Sequence, residues 1–254
     1  MTGTTRSTTG PRHRARHLLA FAGLCAALVA LAVAIASPVG AISPKVIGKT
    51  RHTPPPSCPK DTAAHPCAGL GRVTGFQLVA DGTKRPFNVH KEGKIVAWAL
   101  SLSKPTKSQR DFFAGLFKND KFGKAPTARL AVIKHKGKRK YKLLKESPAV
   151  KLNSALGQKE IFTLDKPLKI RKGQIVALTI PTWASSFANS VSSSGNQWRS
   201  SRNPPNCSPK STSSADLKAF AKASKPQQKV GSTRNYGCDY KAGRLLYWAY
   251  YVPA

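Results

Sequence analysis

Six cations, Lys134, Lys136, Lys138, Arg139, Lys140 and Lys142, fall within nine residues around Gly137. Chemistry at that spacing is electrostatic: a patch this dense attracts polyanions through counterion release and long-range steering. The flanking runs, Ala128 to Lys134 and Lys140 to Lys145, predict two strands that put all six cations at one hairpin tip. A solvated turn in a chain that is basic throughout is the plainer reading of the same residues.

A second set lies between Thr182 and Ser214, 33 residues that include 12 serines. Trp183 and Trp198 offer rings for stacking on a sugar, and Arg199 and Arg202 offer forks for an anion. Those tryptophans would serve equally to anchor the loop by burying themselves. Long loops in compact domains are functional or tied down, and Cys207 is placed to tie this one to Cys238.

Catalytic constellations are scarce. Glycosidic hydrolysis generally needs two facing carboxylates, yet no acid occurs from Lys166 to Ala215. Asp81, Glu92, Asp111, Asp120, Glu146 and Glu160 mostly sit in turns or beside lysines, where a solvated charge is the default. There is no GxSxG elbow, and Ser192 to Gly195 is low-complexity serine rather than a strand-to-helix turn. HExxH, P-loop, dinucleotide and EF-hand patterns are absent, so neither a cofactor nor a metal is expected. His52 and His65 near Cys58 and Cys67 would suit zinc, but no CxxC spacing accompanies them.

The remaining cysteines are better read as disulfides. Cys25 falls in the apolar segment near the start, leaving Cys58, Cys67, Cys207 and Cys238. An even count in an exported chain predicts two bridges, and the local pairings Cys58–Cys67 and Cys207–Cys238 are expected.

Export is read from residues 1–41. Arg6, Arg12, Arg14 and Arg16 precede 19 uncharged residues, Leu18 to Ala36, and Val39-Gly40-Ala41 offers a cleavage site after Pro38. The apolar run is also just long enough to span a bilayer, so an uncleaved anchor with the domain outside is the alternative. Residues 42–71, with Pro54 to Pro56 in a row, read as a proline-rich spacer ending in a small disulfide loop.

The elements that must position the candidate residues follow from Arg72 onward. Seven runs rich in β-branched and aromatic residues, Arg72–Val79, Lys94–Leu102, Ala128–Lys134, Lys140–Lys145, Glu160–Leu164, Gln174–Ile180 and Arg244–Val252, alternate with Gly, Pro and Lys clusters. This predicts an all-β domain over 72–254, a β-sandwich or jelly roll. Two short helical turns interrupt it, one capped by Ser108 before Phe112, the other opened by Ser214 before Leu217, both expected to plug the sandwich ends. In the last run Leu245, Tyr247, Ala249 and Tyr251 alternate with Leu246, Trp248, Tyr250 and Val252. Neither set is polar, so the strand is either covered on both faces or presents an aromatic platform.

Overall, 43 Lys and Arg oppose 10 Asp and Glu, a formal net charge of +33. Only four of those cations belong to the export segment. The expected function is therefore a secreted, non-catalytic module for anionic polymer or polysaccharide of the cell envelope, with nucleic acid bound only non-specifically and membrane touched only if the N-terminal segment stays uncleaved. The alternatives are a secreted hydrolase on polysaccharide or ester substrates, and a purely structural envelope protein.

Overall fold

A computed structural model describes residues 43–57, 69–117 and 122–254. The export segment 1–41, the Cys58–Cys67 pair, His65 and Asp120 lie outside the described residues. The chain is mostly β, and each of the seven expected runs is strand, the last of them divided at Leu246 into two.

In chain order the strands are β1 (Lys45–Ile47), β2 (Leu70–Ala80), β3 (Thr83–Lys84), β4 (Gly93–Ser101), β5 (Thr127–His135), β6 (Lys140–Glu146), β7 (Val150–Lys151), β8 (Lys159–Ile170) and β9 (Gln174–Ala184). They continue as β10 (Phe187–Asn189), β11 (Gln197–Ser200), β12 (Thr233–Asn235), β13 (Cys238–Lys241), β14 (Gly243–Leu245) and β15 (Tyr247–Pro253). Helices α1 (Lys107–Leu116) and α2 (Ser214–Ala223) interrupt them.

The pairing is antiparallel and makes a four-stranded sheet, β1-β15-β4-β8, a nine-stranded one whose main path runs β12-β6-β5-β9-β2-β11-β13, and a two-stranded ribbon of β10 and β14. That larger sheet is strongly curled. Its terminal strands, β12 and β13, are separated along the chain by only Tyr236 and Gly237, a reach of about 11 Å for three Cα steps. Laid flat, seven strands would hold their edges roughly 29 Å apart. Ring contacts agree: Phe76 on β2 meets Tyr141 on β6 at 5.2 Å between centroids, across the two strands that separate them in the sheet.

One apolar core joins the two sheets. Ile95, Leu100, Tyr247 and Tyr251 from the smaller sheet pack with Leu130, Val132, Val176 and Leu178 from the larger. The Tyr247 ring stacks on Phe87 at 4.0 Å, and its hydroxyl donates to the Val176 carbonyl at 2.9 Å. Burial of residues of this size contributes about 1.5–3 kcal/mol each. The last strand's two apolar faces are both covered: Leu245, Tyr247, Ala249 and Tyr251 enter this core, while Leu246 and Trp248 pack with Ala99 and Ala188.

Several expectations are corrected. The segment read as a spacer is, in its described part 43–57, docked on the domain. β1 pairs with β15, Ile47 is buried, and the buried Arg244 donates to the His52 carbonyl and the Thr50 hydroxyl. Ser43 to Ala254 forms one compact unit. The serine-rich stretch 182–214 is not a bare loop, because it contains the end of β9, β10 and the internal strand β11. β11 escapes a hydrophobicity scan because three of its four residues are polar, and two of these find partners: Arg199 pairs with Asp239, and the buried Ser200 hydroxyl accepts from the Arg202 amide.

The helix starts also shift. The cap of α1 is Thr106 rather than Ser108, in a reciprocal capping box with Gln109. That of α2 is Ser213 rather than Ser214, accepting from the Asp216 amide. Both helices pack around Trp183, through Phe113 and Leu116 of α1 and Ala221 of α2, rather than at opposite ends.

Candidate binding surface

The six-cation cluster forms the hairpin tip between β5 and β6. Lys136 and Lys140 close the turn through N–H to carbonyl bonds, and Gly137 (φ +99°) and Lys138 (φ 45°) supply the left-handed conformations it requires. Lys134 lies directly opposite Lys142 in the ladder. Like charges facing each other across a pair destabilise it, so an arriving anion would relieve repulsion already present. Lys134, Lys136, Lys138, Arg139 and Lys140 are exposed and Lys142 is half-buried.

Arg139 stands apart from the lysines. Its Nη1 donates to the Gly237 carbonyl at 2.8 Å and its Nη2 to Asp239 at 2.9 Å, which ties the hairpin to β13.

The second set is brought together only in part, and in the interior. Trp183 and Trp198 are each 2% exposed, so neither ring stands at a rim. Trp183 stacks on Phe113 and donates its Nε1 hydrogen to the Lys124 carbonyl. Trp198 stacks on Tyr240 at 4.3 Å and meets Phe187 edge-on.

Arg199 is committed to Asp239 and to the Tyr141 hydroxyl; hydrogen bonding to Asp239 outweighs burial and raises its pKa. Arg202 is buried beneath Phe220, its guanidinium carbon 4.4 Å from that ring, and Nη2 donates to the Gly71 carbonyl at 2.7 Å. Burial lowers the pKa of Arg202. These four residues hold the curled sheet and its surrounding segments in place. The Cys207–Cys238 disulfide closes the same region.

Three cavities open nearby. One of about 400 Å³ is walled by Phe187, the edge of Trp198, Phe220 and Tyr240, with Arg202 and Lys241 beside them. Another, of about 510 Å³, is basic: Arg72, Lys225, Lys229 and Arg234 line it with Gln228 and Thr233. A third, of about 210 Å³, shares Lys225 and Arg234 with the second and adds Arg202 and Ser224. β12 contributes Thr233 and Arg234 to the basic cavity and pairs with β6 at Lys142 and Tyr141, so the cavity and the hairpin share a strand.

No protein-family model, curated protein or solved structure matches this chain. The site must be read from its own residues.

Carboxylates are mostly engaged by cations or caps. Asp111 meets Lys107, Glu146 meets Arg129, Asp239 meets Arg139 and Arg199, Asp81 accepts from the His52 amide, and Asp216 accepts from Ser211. Among the described residues no three His, Cys, Asp or Glu side chains gather where a metal ion would be held. The arrangement suits binding of anions better than acid-base chemistry.

Sequence reading missed the basic cavity, because Arg72 and Arg234 are 162 positions apart in the numbering. The sequence carries no signal for it: Lys225-Pro226-Gln227-Gln228-Lys229 has no apolar side chain apart from its proline and reads as an exposed loop, whereas in the fold Gln227 is 2% exposed.

Proposed function

We propose that this protein is a secreted, non-catalytic module that holds anionic polymer of the cell envelope, exported by residues 1–41. The observation that carries the reading is the opposed pair Lys134 and Lys142 at the root of a hairpin tip whose other lysines face solvent. A fold pays for such crowding in stability, and a bound polyanion offsets the cost. In the same reading the architecture is a β-sandwich, with the four-stranded sheet facing the curled one across a shared core.

The ligand class is a wall polymer or acidic polysaccharide rather than a specific nucleic acid, since among the described residues no helix suited to a groove accompanies the charge. Polar walls next to the cations favour a hydroxyl-rich chain.

The test is retention on an immobilised polyol phosphate, with a polyuronate and duplex DNA in parallel, as salt is raised. Replacing Lys134, Lys136, Lys138 and Lys140 together by Glu should cut retention and flatten the salt dependence, while Arg139 is kept because it braces β13. Retention that ignores salt, or survives the quadruple substitution, would overturn the proposal.

A further inference from the structure

We propose that the paired cavities beside β12 take a single repeat of an anionic polymer, an oxyanion flanked by hydroxyls. The inference rests on the polyanion reading above and adds a bounded site to what would otherwise be diffuse charge.

Four observations converge on it. First, the wall is cationic: Arg72, Lys225, Lys229 and Arg234 surround the cavity of about 510 Å³, and among the described residues no acid lines it or its smaller neighbour. Arginine forks and ammonium groups together match the several oxygens of a phosphate or carboxylate.

Second, the backbone is bent to deliver one of those cations. The register between β2 and β9 shifts at Gly71/Val73, and Arg72, the residue in between, has φ 47°. A bulge re-aims a side chain, and a non-glycine residue is held in the left-handed region only at a cost in backbone strain. Arg72 then braces its Nε on the Ser224 carbonyl at 2.9 Å, and Arg234 donates to the Lys225 carbonyl. Two of the four cations are thus fixed by main-chain carbonyls rather than left to wander.

Third, polar groups are buried in the smaller cavity's wall without protein partners. Arg202 is 8% exposed and Ser224 1% exposed, and neither Arg202 Nε nor Ser224 Oγ has a hydrogen-bond partner. An orphaned buried donor is costly, and a ligand oxygen admitted past the cavity wall is a partner these two atoms lack.

Fourth, the volume is finite. Cavities of about 300–1,000 Å³ are the usual size for small ligands, so this one accommodates one or two sugar or polyol units and not a folded partner. Polar Gln228 and Thr233 on the wall are placed for hydroxyls.

Phosphate and carboxylate share this chemistry, and the experiment separates them. A two-repeat polyol phosphate and a diuronate are each titrated by calorimetry at about 0.15 M salt, where long-range attraction is screened beyond about 8 Å. The full chain is compared with three variants: Lys225→Glu with Lys229→Glu, a charge-matched control Lys91→Glu with Lys172→Glu at exposed positions outside both the hairpin tip and the cavities, and Thr233→Trp. The last fills the cavity without changing charge, and an aromatic residue suits an exposed strand position.

At least one short ligand should bind the native chain and the charge-matched control alike, and bind the other two about tenfold more weakly or worse, the loss expected for a charged hydrogen bond. The tighter arm identifies the polymer class. Short ligands that bind none of the proteins, or all equally, while long polymer is still retained in a salt-dependent way, would overturn the pocket and leave the charge reading intact. Long polymer that is not retained by the native chain would instead remove the reading on which the pocket rests.

Discussion

Arg199 on β11 and Asp239 on β13 form a two-point ion pair, with Nε 2.7 Å from Oδ1 and Nη2 2.9 Å from Oδ2. Asp239 also accepts from Arg139, and Arg199 also donates to Tyr141. Since Arg139 and Tyr141 belong to the β5–β6 hairpin and its second strand, one carboxylate helps fasten the two ends of the curled sheet together.

Burial pushes the Asp239 carboxyl up, but hydrogen bonds and charge from Arg199, then Arg139, outweigh it and hold the pKa below the ordinary carboxylate value. A depressed folded pKa contributes stability above the unfolded value, about 3.9, that is lost as pH falls through the folded one. Denaturation midpoints attributable to this group should therefore hold steady down to about pH 5 and drop below about pH 4. Asp239→Asn should cost about 3 kcal/mol at neutral pH, because two guanidinium groups lose their carboxylate, and its acid limb should be shallower. Parallel acid limbs for the two proteins would show that the clamp does not titrate as described.

Cutting the Cys207–Cys238 bridge should lower stability without unravelling the sheets. The sequence separation is 31, for which loop entropy gives about 3–4 kcal/mol. For a domain of this size that corresponds to a fall in Tm of roughly 10 °C, read by calorimetry on Cys207→Ser with Cys238→Ser. A change within 2–3 °C would mean that the β11–β13 ladder alone holds the segment.

Two glycines should respond in opposite directions. A Cβ on Gly75 would sit 2.9 Å from the Trp198 ring and 3.0 Å from the Arg199 carbonyl, so Gly75→Ala should destabilise by about 1–3 kcal/mol through overpacking. Gly115 lies within α1, and an added Cβ there meets nothing within 4 Å. Gly115→Ala should stabilise by about 0.5–1 kcal/mol. Urea titration of both variants checks the pair.

Gln227 ties a buried polar network together. Its amide donates to the Tyr141 and Ser232 carbonyls, and its Oε1 accepts from the Tyr236 hydroxyl at 2.8 Å. Gln227→Leu should leave several buried groups unpaired and cost about 3 kcal/mol, with hydrogen exchange accelerating first at Tyr236 and Ser232. Unchanged exchange at those amides would mean that water replaces the side chain.

Trp183 should prove structural. Its 2% exposure places the ring among Phe113, Phe117 and Ala221, so Trp183→Ala should cost about 3–5 kcal/mol while polymer retention below the new melting temperature stays the same. Loss of retention in the folded variant would restore Trp183 as a binding residue.

Much of the fold was legible. Runs such as Lys94–Leu102 and Gln174–Ile180 are dense in branched and aromatic residues, and their strands fall within a few residues of those bounds. β11 and β12 were not legible, because they are short and polar, and their place in the sheet depends on partners elsewhere. The hairpin cations were visible as a cluster, whereas the basic cavity was not, since its wall joins the β2 bulge, the segment after α2, and β12.

By itself the sequence determined what depends on neighbours along the chain: the alternating strands, the turn glycines, the pairing options of the cysteines and the excess of cations. It also determined that acids are too few to neutralise that excess. Only the tertiary structure decided which charges are spent. Arg199 finds Asp239 forty residues away, and Arg202 sinks beneath Phe220, while Lys136 and Lys138 stay in solvent. Alternation reports that a face is buried but not what buries it, because the partner of each buried group arrives from a distant segment once the sheet has curled.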